Sequence, residues 1–169
     1  MDEQRAFADL DGRVALVTGC GSPDGIGFAT ARLLGRQGAK VAITSTTERI
    51  QERVAELGDE GITASGHVAD LIDPDEAARV VAETVEIHGG LDILVNNAGM
   101  SQVGTEDLGR PFAELSPEEW RAGIDQNLNL TANVTRAALA DITQAEGGRI
   151  VFVTSVTVPV VSAPGNPAY

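Results

Sequence analysis

Cysteine is almost missing from the sequence, and the lone Cys20 leaves no material for an internal disulfide or for a zinc cluster built on cysteine spacing. Basic residues are scarce as well, 12 against 25 acidic ones, and the resulting net charge of −13 is spread over helix faces and loops. Nucleic acid and anionic membrane surfaces repel such a chain, so neither is expected as a partner. No apolar run approaches the roughly 18 residues that a membrane helix needs; the nearest is the interrupted IVFVTSVTVPVV. The only histidines, His67 and His88, are read as far apart and without carboxylates at metal spacing, so no metal is expected. The opening MDEQRAFADL has neither the basic nor the apolar region of a signal peptide, which predicts a cytoplasmic location.

What remains is the composition of a folded protein, 43% hydrophobic and 22% charged, in a chain of 169 residues that suits one domain. Short runs rich in Val and Ile alternate with longer helical patterns. The strands are expected at 13–19, 40–45, 61–68, 91–97 and 149–156, and the helices at 25–37, 48–57, 74–88 and 117–145. Asp73-Pro74 and Ser116-Pro117 read as N-cap and first helical residue. Apolar strands joined by helical crossovers make a parallel sheet covered on both faces, and right-handed crossovers make it a doubly wound α/β sheet of the Rossmann type. Residues 98–116 form the longest irregular stretch, at the end of a strand where such sheets carry function.

The first strand runs into TGCGSPDGIGFATARLL, where glycines crowd a strand-to-helix turn. Glycine lets the backbone approach a diphosphate, and a helix N-terminus offers free N–H groups and a partial positive charge. Cys20 in this turn reads as a small packing residue, and Trp120 at a helix start as a packing aromatic.

This loop, with LDILVNNAG at 91–99, resembles the short-chain dehydrogenase/reductase family, and the match spans the whole chain. The family's loop reads Thr-Gly, three residues, Gly-x-Gly; here Thr18-Gly19 is followed by five residues before Gly25-Ile26-Gly27. Counted back from the helix, Gly21, Gly25 and Gly27 fit the spacing, so either Gly19 or Gly21 is the residue that approaches the phosphate. The resemblance implies further cofactor contacts from Asn97, Ala98 and Gly99, and from Asp70 and Leu71 at the adenine. At the end of the second strand Ser45 and Thr46 stand where relatives that prefer NAD carry an acid. With no carboxylate to repel a 2′-phosphate and Arg49 within reach of one, the cofactor expected is NADP, with NAD open because Asp24 sits where many NADP-binding relatives place a basic residue.

Hydride transfer to a ketone needs a proton donor, and a tyrosine with its ordinary pKa near 10 is a poor one unless a cation lies beside it. The resemblance implies that Ser155 orients the carbonyl of a small-molecule substrate, Tyr169 transfers the proton, and Asn127 positions a water in the relay. It also implies a lysine four places beyond the tyrosine, two further strands and a substrate lid. The chain is therefore expected to be a C-terminally truncated piece of the fold, with about five of seven strands, a fifth strand open at its edge and poor turnover by itself. The reaction expected of the whole protein joins a ketone and a secondary alcohol, with a 3-oxoacyl thioester as one substrate, and the full-length protein is expected to be a homo-oligomer. A nucleotide-binding or association module without catalysis is the alternative.

Overall fold

In the computed structural model, residues 9–99 and 112–155 are described. The order of elements is β1 (Val14–Val17), α1 (Ile26–Arg36), β2 (Lys40–Ser45), α2 (Arg49–Asp59), β3 (Ala64–Val68), α3 (Pro74–His88), β4 (Ile93–Asn96), a short 3₁₀ turn (Phe112–Glu114), α4 (Pro117–Ile124), a π-type turn (Asp125–Asn129), α5 (Leu130–Gln144) and β5 (Arg149–Phe152). The five strands lie in the order β3-β2-β1-β4-β5, all parallel, which is the doubly wound arrangement expected of the alternating pattern.

Alternation along the strands feeds two separate cores. Val14 and Leu16 of β1 join Leu94, Val80, Val134 and Ala138 under α3 and α5, while Ala15 and Val17 join Phe28, Ile43, Ile50 and Leu57 under α1 and α2. Successive strand residues point to opposite faces, so a strand covered on both sides must be apolar throughout.

The two predicted helix starts form as read. Asp73 caps α3 by accepting from Asp75 N at 2.9 Å, Pro74 takes the first position, and Gly89 closes the helix with φ 92°. Ser116 and Glu119 make a reciprocal capping box on α4. The continuous helix expected over 117–145 is not continuous: its hydrogen-bond ladder widens to a π-type turn at Asp125–Asn129 before α5 resumes. Such widened turns occur mostly as single insertions and frequently at functional sites.

Candidate functional site

A cleft of about 610 Å³ opens at the carboxyl ends of β1, β2 and β4, where a doubly wound sheet reverses its strand order. Gly19, Gly21, Gly25 and Ile26 form its floor. Gly19 holds φ 73°, and a Cβ there would stand 2.8 Å from the Cα of Ala98. A Cβ on Gly21 would stand 2.6 Å from Ser45 Oγ. Both glycines therefore line the cleft and both are held by contact, Gly19 against the loop after β4 and Gly21 against the end of β2.

Gly27 does not line the cleft but is buried below it, where a Cβ would stand 2.5 Å from Asn97 Nδ2 and 2.6 Å from Gly19 O. Its lack of a side chain lets α1 pack directly onto the loop. The N-cap of α1 is Gly25, which supplies no side-chain cap, and the first turn carries no acid. A helix start of this kind suits an anion, because its first N–H groups have no partner within the helix.

Thr18, quoted in the motif but given no role from the sequence, is the joint between β1 and β4. Its buried Oγ1 accepts from Asn97 N at 3.0 Å and Ala98 N at 2.9 Å. Asn97 replies with Nδ2, donating to Thr18 O at 3.0 Å and Gly19 O at 3.2 Å. Asn96 donates to Thr135 Oγ1 of α5 at 3.0 Å. The Asn-Asn pair thus ties the glycine turn to the sheet on one side and to α5 on the other, and Ala98 and Gly99 continue along the cleft wall.

At the opposite end of the cleft lie Ser45, Thr46, Thr47, Arg49, Asp70 and Leu71. Ser45 Oγ accepts from Thr47 N at 3.2 Å, and Arg49 Nε donates to Thr47 Oγ1 at 3.2 Å, so the turn after β2 presents hydroxyls with a guanidinium beside them. Asp70 accepts from Ile72 N at 3.1 Å. Asp24 is exposed and does not line the cleft.

Asn127 and Ser155 line the same cleft as the glycine turn. The π-type turn carries Asn127, whose Nδ2 donates to Gly123 O at 3.0 Å. A Cβ on Gly99 would stand 3.1 Å from Asn127 Oδ1, which puts this side chain against the loop after β4. Tyr169 lies outside the described residues.

One other expectation changes. His67 and His88 are not far apart: Ser65 Oγ lies 3.0 Å from His67 Nε2 and 2.9 Å from His88 Nε2, and His67 has a carboxylate partner in Glu83 at 2.8 Å. Packing of α3 on β3 closes the gap that the sequence separation suggests. Trp120, for which a packing role was expected, is 37% exposed, so most of its surface is covered. Cys20 is fully buried, its thiol donates to Val17 O at 3.3 Å, and burial pushes its pKa up to about 12, so it packs as a neutral thiol. Among the described residues no group of three or more His, Cys, Asp or Glu side chains is placed to hold a metal, and no helix is long and apolar enough to cross a membrane.

A parallel doubly wound sheet with a glycine turn, an Asn-Asn-Ala-Gly loop and an open cleft at the strand ends defines a nucleotide-binding fold of the Rossmann type. Residues 13–169 match the short chain dehydrogenase family, and the chain belongs to it. It is 36% identical over 160 residues to oxidoreductase UcpA of Escherichia coli (strain K12), covering 95% of this chain and 58% of that protein. It is 38% identical over 152 residues to dehydrogenase/reductase SDR family member 4 of Bos taurus, covering 87% and 50%. Among solved structures, a short chain dehydrogenase from Burkholderia cenocepacia J2315 in complex with NADP superposes with a TM-score of 0.81 at 36% identity, over 96% of this chain and 63% of that one. A metagenomic short-chain oxidoreductase, also in complex with NADP, gives 0.83 at 34% identity, over 96% and 70%. The chain thus spans between half and three-fifths of the length of these curated relatives.

Proposed function

We propose that the protein belongs to an NADP-dependent oxidoreductase that interconverts a ketone and a secondary alcohol. The observation that carries this reading is that the glycine turn, the loop after β4, Asn127 and Ser155 converge on one cleft. The residues present suit a dinucleotide: a glycine floor without side chains, an uncapped helix start for the diphosphate, and Arg49 among hydroxyls at the end of β2 for a 2′-phosphate. Two structural neighbours are described in complex with NADP, which supports NADP over NAD.

When bound, the nicotinamide supplies a hydride donor or acceptor. The chain's own residues supply the rest. Thr18 and Asn97 fix the wall of the cleft between the glycine turn and the loop after β4, against which the cofactor would be held. The hydroxyl of Ser155 donates to the substrate carbonyl oxygen and orients it, Tyr169 supplies the proton to the developing alkoxide, and Asn127 holds a water that refills Tyr169. A 3-oxoacyl thioester is the substrate class we favour first, because a relative from Streptomyces virginiae, 42% identical over 146 residues, carries the name of a ketoacyl reductase of a polyketide synthase. Exposed Leu128 and Leu139 near and on α5 support assembly into a homo-oligomer.

NADPH and NADH titrations of the purified chain, followed by oxidation assays with ketones and 3-oxoacyl thioesters on the full-length protein, test this reading. NADPH binding with turnover abolished by Tyr169→Phe is the expected result. Binding without turnover on any ketone assigns a nucleotide-binding module instead, and absence of binding to either nucleotide overturns the proposal.

A further inference from the structure

The outer strand β3 carries Ser65 and His67 two residues apart, hence on one face of the sheet, the face toward α3. His67 Nδ1 lies 2.8 Å from Glu83 Oε2 of α3, and His67 Nε2 lies 3.0 Å from Ser65 Oγ. Glu83 is itself fixed by Arg79, whose Nη1 donates to its two oxygens at 2.9 and 3.0 Å. Those bonds from Arg79, and then the one from His67, hold the Glu83 carboxyl below its ordinary range, so it stands ionised and can only accept. An acceptor facing Nδ1 places the proton of a neutral His67 on that nitrogen and leaves a lone pair on Nε2 toward the serine. The Ser65 hydroxyl donates into that lone pair.

The second contact of Ser65 Oγ, His88 Nε2 at 2.9 Å, then has only one consistent direction, with His88 donating. His88 is buried at the end of α3, and its backbone carbonyl accepts from Lys40 Nζ at 3.1 Å. It pins the hydroxyl so that its hydrogen faces His67. The imidazole of His67 is nearly sealed, with its side chain 3% exposed, whereas Ser65 is only partly buried and stands on an edge strand. None of Ser65, His67, Glu83 and His88 lines the cofactor cleft.

Carboxylate, imidazole and hydroxyl in this order and at these distances form the arrangement that activates a hydroxyl, because the base removes the proton as the oxygen attacks and the carboxylate stabilises the imidazolium that results. We propose that Ser65 is an activated nucleophile, a second reactive centre that is covalently modified by activated carboxylic or phosphonic esters. With a fluorophosphonate, Ser65 Oγ bonds to phosphorus, its proton passes to His67 Nε2, the phosphorus–fluorine bond breaks and fluoride departs. The imidazolium, facing Glu83, returns its proton to water.

The probe for the test is an alkyl fluorophosphonate, applied to the complete chain and read by intact mass and peptide mapping. The expected result is one adduct, on Ser65, formed on the order of 100-fold faster than on the capping serine Ser116. His67→Gln should lower that rate on the order of 100-fold, and Glu83→Gln by a smaller factor, with the melting temperature recorded for each. A network with only a structural role would leave Ser65 as inert as other serines. Labelling elsewhere, no labelling, or a rate unchanged in folded His67→Gln overturns the proposal. Should His67→Gln not fold, mapping of the unmutated chain and Glu83→Gln still decide it. NADPH binding is measured in parallel, so that loss of the reading of the cleft is seen separately.

Discussion

The two sides of the sheet differ in how completely they are covered. In β1 every residue is buried, with exposures of 3% or less, and β4 is buried from Leu94 to Asn96. In β5 three of four residues are exposed, and Val151 and Phe152 stand open at 47% and 52%. The half with the glycine turn is held by two apolar cores and by the Thr18–Asn97 bonds, while the strand that leads to Ser155 carries exposed apolar side chains among the described residues. Among the described residues, the half of the sheet that carries the glycine turn is thus the more completely packed.

The sharpest way to break this contrast is in the cores. Leu94→Ala, at a site with 0% exposure, should cost about 2–5 kcal/mol, whereas Phe152→Ala should cost less than about 1 kcal/mol; chemical denaturation of the two variants compares them directly. Equal losses would mean that β5 is as firmly held as β4. Next in size, Gly27→Val drives a side chain against a backbone carbonyl that cannot move aside, and the NADPH dissociation constant should rise on the order of 100-fold by fluorescence titration. Arg49→Ala removes a single cation from the rim, so NADPH binding should weaken about tenfold while NADH binding stays unchanged. A like change for both nucleotides would remove Arg49 from 2′-phosphate recognition.

The smallest effect concerns pH. Burial first, then Lys40 and His67, lowers the pKa of His88 in the folded protein. The unfolded chain therefore binds this proton more readily, and stability falls as pH drops through the ordinary histidine range near 6.5. Glu76 and Glu83 have lowered pKa values, so their contributions are present above the ordinary carboxylate range and are lost only below it. Melting temperatures between about pH 6.5 and pH 4.5 should consequently decline less in His88→Gln than in the unmutated chain.

Much of this was readable from residue patterns. Apolar strands alternating with helical segments led to the parallel sheet because a strand buried on both faces has no freedom to be polar. The glycine turn and the Asn-Asn-Ala-Gly loop were readable because their residues lie in short, contiguous stretches. The role of Thr18 was not, since its partners Asn97 and Ala98 lie 79 and 80 residues away and a threonine at a strand end has many uses. The π-type turn at Asp125–Asn129 was missed because one widened turn barely disturbs helical periodicity; the polar run Asn127, Asn129, Thr131 was the available hint. The strand expected from residue 61 begins only at Ala64, because Gly61 takes φ 77° in the preceding turn. The meeting of Ser65 with His88 depends on α3 lying back over β3, which no local pattern announces.

The bare start of α1 has a thermodynamic consequence. Gly25 gives the helix no capping side chain and its first turn holds no acid, so a bound diphosphate would complete a helix that the chain itself leaves unfinished. Ligand and fold are then linked by mass action: at a hundred times the dissociation constant, the dinucleotide would add about 2.7 kcal/mol to stability. The persistence of the folded chain in a cell would follow its supply of nucleotide, and amide exchange around Ile26 to Phe28 would slow first as that supply rises.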